Sequence, residues 1–129
     1  MSDTITNLEN TTLINCKLFE FFAQHFMLEC RGCNETIKCR EKIIDFMNCL
    51  ISTIQTSAEN SCTVQRVKED HIVVTQITDD GHITLHLSAG KLFLDVFNRK
   101  RFDIPSVKSL VIQHFGVKTM KETCLDRGI

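Results

Sequence analysis

Three turn signals divide the stretch from residue 64 to residue 97 into four short apolar segments. The turns are Lys68-Glu69-Asp70, Asp79-Asp80-Gly81 and Ser88-Ala89-Gly90, and the segments between them are rich in β-branched and aliphatic residues. Parallel strands need a crossover of a dozen or more residues, so segments joined by such short turns pair with their chain neighbours in antiparallel fashion. We therefore predict a four-strand antiparallel meander, which limits the rest of the chain to elements that extend or cover this sheet.

An amphipathic helix precedes the meander and a second one follows it. Asn34 is a candidate N-cap for a helix over about residues 35–55, in which apolar residues recur at three- and four-residue steps. The apolar face of this helix comprises Ile37, Ile43, Ile44, Met47, Leu50, Ile51 and Ile54. In the second helix Asp103 is the predicted N-cap, Pro105 lies in the first turn and Gly116 ends the helix. Its apolar face comprises Ile104, Val107, Leu110, Val111 and Phe115.

Two further strands complete the predicted fold. The segment from His25 to Cys30 alternates like a strand before the first helix, and residues 117–121 follow the second helix. The order strand, helix, meander, helix, strand places both helices on the same side of the sheet. We predict an α+β fold, a two-layer sandwich of a mainly antiparallel sheet with two helices on one face. In this interpretation residues 25–129 form a single domain.

Residues 1–24 are predicted to be an extension of this domain. The first dozen residues are polar, and the aromatic residues that follow, such as Phe19 and Phe22, would form an apolar stripe on a helix. Three conformations are compatible with this pattern. They are a helix up to about Ala23 packed on the domain, an arm exchanged with a second subunit, and a frayed tail.

Charge and cysteine content exclude several classes of function. The chain has 15 basic and 16 acidic residues and a net charge of -1, whereas nucleic-acid and anionic-membrane binders carry a basic surface. No segment approaches the roughly 20 apolar residues that span a bilayer, and no secretory signal pattern occurs. Seven cysteines at irregular spacing suit reduced thiols better than a disulfide framework. We expect a cytoplasmic protein that binds neither nucleic acid nor a membrane.

The face of the meander that points away from the helices is polar and aromatic. Alternation along its third and fourth strands directs Ile83 and Leu94, with their apolar neighbours, towards the helices. The side chains on the opposite face are those of His82, Thr84, His86, Ser88, Phe93, Asp95 and Phe97. A face that mixes His, Thr, Asp and Phe is typical of a binding cleft or a subunit interface, and the alternative is an ordinary solvated surface.

Two sets of residues have side chains that bind metals. His82 and His86 have the spacing of a metal pair on a helix, but on a strand they lie roughly 13 Å apart, at about 3.3 Å per residue. Cys30 and Cys33 form a Cys-x-x-Cys pair before a helix and, with Cys39, are the alternative metal or redox site. No ligand histidine follows at finger-like spacing, so free thiols are the favoured interpretation and we predict no metal site.

Four short segments occur in an order that a known family shares. They are HFMLEC from His25, DGHITLH from Asp80, LDVF from Leu94 and FDIPS from Phe102. The family pattern has a His-led apolar strand ending in an acidic residue and Cys, then Glu-Ser-His-x-Thr-x-His, a strand with Asp and Phe, and an Asp-Pro helix start. From His25 to its end the chain thus resembles the bacterial-type S-adenosylmethionine decarboxylase family.

The chain departs from the family pattern at the residue that carries the chemistry. In the family the serine hydroxyl attacks the preceding carbonyl carbon, and cleavage through an ester leaves a pyruvoyl group that serves as the electron sink for decarboxylation. Gly81 stands at this position and has no side-chain oxygen, so no pyruvoyl group is expected. Asp80 replaces the family's glutamate, and Asp80-Gly81 is predicted to form a two-residue hairpin turn.

The remaining family positions match unevenly. His82 corresponds to the histidine after the cleavage site, His86 to the one that assists processing, and Arg99 stands in place of the catalytic cysteine. With these losses the resemblance implies a pseudoenzyme without a cofactor or catalytic residues. Because members of the family pair through their sheets, it also implies a homodimer.

Two alternatives remain open. A pocket containing His82, His86, Phe93, Asp95 and Phe97 would bind S-adenosylmethionine or a polyamine, with the carboxylate receiving a cationic amine and a phenyl ring stacking on adenine. The other alternative is a different protein as partner. This partner would be an active decarboxylase paralogue or, if the chain is viral, a host factor.

Overall fold

The computed structural model describes residues 21–128, which form six strands and two α-helices. Of the predicted N-terminal extension, residues 1–20 lie outside the described residues. The elements in chain order are β1 (Phe21–Arg31), a 3-10 turn (Glu35–Lys38), α1 (Arg40–Thr53), β2 (Thr63–Lys68), β3 (His71–Thr78), β4 (Gly81–Ser88), β5 (Lys91–Asn98), α2 (Ile104–Phe115) and β6 (Thr119–Gly128).

The six strands form one antiparallel sheet in the order β2-β3-β4-β5-β1-β6. β2 to β5 are the predicted meander, and β1 inserts between β5 and β6. The side chains of one sheet face pack against α1 and α2, and no element within residues 21–128 covers the other face, which is called the open face below. The predicted α+β fold, a two-layer sandwich with two helices on one face of an antiparallel sheet, is confirmed.

The hydrophobic core lies between the sheet and the two helices. Ile83, Leu85 and Leu87 of β4 are at most 1% exposed, as the alternation of that strand predicts. Phe46 of α1 and Phe115 of α2 meet edge to face with ring centroids 4.9 Å apart. Fully burying one such side chain contributes about 1.5–3 kcal/mol. Because the apolar side chains of the sheet are buried against the helices, the opposite face of the sheet carries the polar and aromatic side chains.

The predicted helix over residues 35–55 is wrong at its start. Asn34 caps a turn, since its side chain accepts a hydrogen bond from Thr36 N at 2.9 Å, but this is a short 3-10 turn. Cys39 then takes an extended conformation with φ -98° and ψ 111°, and α1 begins only after it. The Thr36 hydroxyl donates to the His114 carbonyl at 2.7 Å and ties the turn to α2. This tertiary contact overrides the continuous helical periodicity.

The predicted boundaries of the second helix are confirmed. The Asp103 side chain accepts a hydrogen bond from Ser106 N at 3.1 Å, Pro105 lies in the first turn, and Gly116 ends the helix with a φ of 59°. No helix within residues 21–128 is long and apolar enough to cross a membrane.

Both terminal strands are longer than the sequence predicts. β1 begins at Phe21 rather than His25, so the helical option that ran up to Ala23 is wrong for the described residues. β6 starts at Thr119 and has ten residues, which takes it well past Lys121. Almost all side chains of β6 are exposed, so this strand lacks the apolar alternation that marks a strand in a sequence.

Candidate functional site

The hairpin between β3 and β4 contains the Asp80-Gly81 pair, which the resemblance aligns with the family's cleavage site. Its turn residues are Asp79 and Asp80, because Thr78 pairs with Gly81 in the ladder. The predicted Asp80-Gly81 turn is therefore wrong by one residue. Neither aspartate has a positive φ, so the turn is not of the mirror-image type that an Asp-Gly pair favours. Gly81 is instead the first residue of β4.

Gly81 lies very close to the backbone of β5. A Cβ built on Gly81 would lie 1.8 Å from the carbonyl oxygen of Phe97 and 2.8 Å from its carbonyl carbon. The φ of Gly81 is 158°, which residues with a side chain rarely adopt. Only glycine allows two backbones to approach in this way. Position 81 therefore has no room for a serine side chain in this conformation.

Asp80 anchors the turn to the rest of the domain. Its carboxylate accepts a hydrogen bond from the Thr56 hydroxyl at 2.8 Å and lies 3.5 Å from Lys100 Nζ. Its backbone carbonyl accepts a hydrogen bond from Arg99 N at 2.8 Å. The Thr56 hydrogen bond, with Lys100 and Arg99 nearby, lowers the pKa of Asp80. The side chain is thus held as a carboxylate that accepts hydrogen bonds.

An aromatic row lies on the open sheet face next to this turn and consists of Phe22, His25, His82 and Phe97. The rings of His82 and Phe97 stack with centroids 5.4 Å apart and 5° between their planes. His25 meets Phe97 edge to face at 5.9 Å, and Phe22 lies 6.5 Å from Phe97. The Arg99 guanidinium lies over the Phe22 ring at 5.4 Å from its centroid. The row is therefore an aromatic surface with the Arg99 guanidinium at its end.

The five residues predicted to bind a ligand share the open face. Phe93, Asp95 and Phe97 alternate along β5, with His86 opposite Phe93 and His82 opposite Phe97. His82, Phe93 and Asp95 are exposed, whereas His86 and Phe97 are half-buried. A small molecule bound by these residues would consequently lie on an open surface rather than in a deep pocket.

His86 contacts His71, a residue that no sequence motif marks. His71 Nε2 lies 3.2 Å from His86 Nδ1, and the ring centroids are 5.4 Å apart. Val73 is the direct partner of His86 on β3, so His71 is a diagonal neighbour on the same face. His82 belongs to the aromatic row instead, which agrees with the prediction that His82 and His86 do not converge. Only the hairpin register would have identified the pair from the sequence.

The geometry does not favour a metal or redox site at the cysteines. Cys30 is 1% exposed, and burial raises the pKa of its thiol to about 12. Burial also raises the pKa of Cys33, while Cys39 stands at the start of α1 without a side-chain capping bond. Metal binding and thiol exchange both need the thiolate. Within residues 21–128 no three or more His, Cys, Asp or Glu side chains are gathered around a metal-sized space.

Comparison with known protein families tests the family resemblance that the sequence motifs suggest. A family model described as S-adenosylmethionine decarboxylase matches residues 24–128. The chain belongs to the S-adenosylmethionine decarboxylase family. Its fold is similar to the crystal structure of the adenosylmethionine decarboxylase from Aquifex aeolicus VF5, with a TM-score of 0.67 over 84% of this chain and 92% of that chain. The two sequences are 15% identical, so this likeness shows the fold alone. A search of curated proteins finds no match.

Most of the positions that the motif resemblance aligns with the family's functional residues lie at one end of the sheet. Asp80 and Gly81 lie at the β3–β4 hairpin, His82 follows on β4, and Arg99 lies directly after β5 within hydrogen-bonding distance of Asp80. His86 lies further along β4, away from this group. The two histidines of the motif, His82 and His86, therefore lie in different surroundings on the same strand.

Proposed function

We propose that this chain is a non-catalytic member of the S-adenosylmethionine decarboxylase family that acts by protein association, first of all with a second copy of itself. Gly81 is the observation that carries the proposal. Without a side-chain oxygen, position 81 has no nucleophile for the acyl shift that makes the pyruvoyl group. Arg99, at the place of the family's catalytic cysteine, is a second loss, because a guanidinium stays protonated in proteins.

The contact between Gly81 and Phe97 supports the absence of chemistry. A serine at position 81 would have to displace the Phe97 carbonyl, since even a Cβ would lie 1.8 Å from its oxygen. The displaced segment belongs to β5, which pairs with β4 over its whole length. Restoring a serine at position 81 would therefore require a shift in the pairing of β4 with β5 as well as a change of one side chain.

The open sheet face supports association. Ile77 lies opposite His82 and Leu125 lies opposite His25, so they extend the aromatic row across five adjacent strands, from β3 to β6. Four large apolar side chains on this face are 41–52% exposed, namely Phe22, Ile77, Phe93 and Leu125. A row of aromatic and exposed aliphatic side chains with polar residues beside it is the type of surface that protein interfaces cover.

A second copy of the chain is the partner that fits this face most directly. A two-fold interface brings the same patch of both subunits together, so the patch must complement itself. The aromatic row meets this condition because stacked and edge-to-face rings pack equally well on rings of the same kind. The motif resemblance adds that family members pair through their sheets.

Sedimentation velocity over a range of protein concentrations tests the homodimer. The single chain has a mass of 14.8 kDa, and we expect a species of twice this mass that dissociates on dilution. A monomer at every concentration would contradict the homodimer. A pull-down from the source cell would then test association with a paralogue or a host factor.

A second candidate function is residual binding of S-adenosylmethionine or a polyamine. Asp95 lies between Phe93 and Phe97 on β5, so a carboxylate and two aromatic rings stand in line on the open face. This arrangement offers an anion for a cationic amine and a ring for adenine. Calorimetry with these compounds at millimolar concentration tests it, and the absence of heat would remove this candidate.

A further inference from the structure

His71 and His86 form a pair of imidazoles on the open face, at the end of the sheet remote from the aromatic row. The facing nitrogens, His71 Nε2 and His86 Nδ1, lie 3.2 Å apart, and both residues are half-buried. The two residues lie on adjacent strands of a regular antiparallel ladder, in which Val73 pairs with His86 and Ser88 with His71. The ladder fixes both backbones and places the two side chains within hydrogen-bonding reach of each other without any ligand.

A nitrogen separation of this size suits a metal ion as well as a shared proton. In a tetrahedral zinc site with Zn–N bonds of 2.0–2.1 Å, two ligating nitrogens lie about 3.3 Å apart. The observed 3.2 Å differs little from this value, so small ring rotations would direct both lone pairs to one ion. Imidazole nitrogen suits Zn²⁺, Cu²⁺ and Ni²⁺, whereas Mg²⁺ and Ca²⁺ prefer oxygen ligands.

We propose that His71 and His86 form a two-histidine site for a divalent transition-metal ion of the imidazole-preferring class, represented by Zn²⁺. His71 Nε2 and His86 Nδ1 are the two protein ligands. Within residues 21–128 no third His, Cys, Asp or Glu joins them, so water or a donor from another molecule completes the coordination. On binding, the proton of the hydrogen bond between the two facing nitrogens moves to the outer nitrogen of its own ring, so that each ring ligates as a neutral imidazole.

His82 provides a matched control for this site. It is a histidine on the same strand and the same face as His86, four residues earlier. Its ring stacks on Phe97, and on a strand it lies roughly 13 Å from His86, at about 3.3 Å per residue. A metal that bound any histidine of the open face would engage His82 too, whereas the proposed site excludes it.

Zinc titration of the ¹⁵N-labelled full chain, followed through the imidazole nitrogens, tests the proposal. Solvent-accessible thiols are alkylated first, because the exposed Cys49 and Cys124 would also bind zinc. We expect His71 Nε2 and His86 Nδ1 to shift together, both as unprotonated nitrogens, with saturation at one ion per chain. The nitrogens of His82 should not follow them.

Variants provide the second arm of the test. His71→Asn and His86→Asn should each lower the zinc affinity at least about tenfold, since even the loss of a group that only supports a ligand costs 10–100-fold. His82→Asn should leave the affinity unchanged, and circular dichroism checks that all three variants fold. Zinc binding that survives in both variants, that falls equally in His82→Asn, or that shifts only one of the two rings would overturn the proposal. So would the absence of binding at millimolar zinc.

Discussion

Gly81 approaches the carbonyl group of Phe97 so closely that a Cβ on residue 81 would lie 1.8 Å from the Phe97 oxygen. Gly81 also pairs with Asn98 at the end of the β4–β5 ladder. The position that resembles the family's self-cleaving serine is thus the first residue of a strand. The observed pairing of β4 with β5 at this position is possible only because residue 81 has no side chain.

Replacing Gly81 with alanine should destabilise the fold much more than the same change at Gly90. Gly90 has a φ of 73°, but the nearest atom to a Cβ there is the Cys33 oxygen at 4.0 Å, so Gly90→Ala costs only the left-handed conformation, about 1–2 kcal/mol. Gly81→Ala adds a clash with the backbone of Phe97, and we expect a loss of about 3 kcal/mol or more. Urea unfolding measures both free energies, and equal losses would contradict the close approach.

Asp80 should make stability depend on pH on the acid side. Its folded-state pKa lies below the ordinary value of 3.8, first through the Thr56 hydrogen bond, so its contribution is present above about pH 3.8 and is lost as the pH falls through the lower folded-state value. Asp80→Asn should lower stability at neutral pH and flatten this acid dependence. Thr56→Val should flatten it in part. Melting temperatures between pH 2 and 7 measure the effect, and identical acid slopes for all three proteins would contradict it.

The proposed dimer should be sensitive to the open face and insensitive to the helical face. Leu125 on β6 and Ile112 on α2 are 47% and 48% exposed, so either position accepts an aspartate without disturbing the core. Leu125→Asp should raise the dimer Kd about tenfold or more, because burying an unpaired charge costs at least about 1.4 kcal/mol. Ile112→Asp should leave it unchanged. A dimer weakened only by Ile112→Asp would place the interface on the other layer.

The cysteines should react according to their burial. Cys30 lies in the core with its pKa raised to about 12, whereas Cys49 and Cys124 are exposed. Alkylation with iodoacetamide at mildly alkaline pH should modify both exposed thiols and leave Cys30 intact, because only the thiolate reacts. Peptide mapping by mass spectrometry identifies the modified residues. Rapid modification of Cys30 in the folded protein would support the redox interpretation of the Cys-x-x-Cys pair instead.

The sequence predicts the elements whose residues face the core or carry local caps. The meander follows from its turns and from the alternation along its strands. The ends of α2 follow from local caps, since the Asp103 side chain caps the first turn and the left-handed backbone of Gly116 ends the last one. The start of α1 could not be predicted, because it depends on a hydrogen bond from Thr36 to the distant His114 carbonyl. The sequence predicts only the beginning of β6, because the exposed side chains along the rest of this strand leave no apolar period.

The candidate site shows the same limit. The outward orientation of His82, His86 and Asp95 follows from alternation along single strands. Contacts between strands depend on register, and the predicted turn was wrong by one residue. Neither the proximity of His71 to His86 nor the extension of the aromatic row to Leu125 could therefore be obtained from the sequence.

The intact mass of the purified protein tests most directly whether the chain can make a pyruvoyl group. We predict a single uncleaved polypeptide of 14.8 kDa, because Gly81 has no oxygen with which to attack the Asp80 carbonyl. Two fragments divided between Asp80 and Gly81, the second beginning with a keto group, would contradict this account.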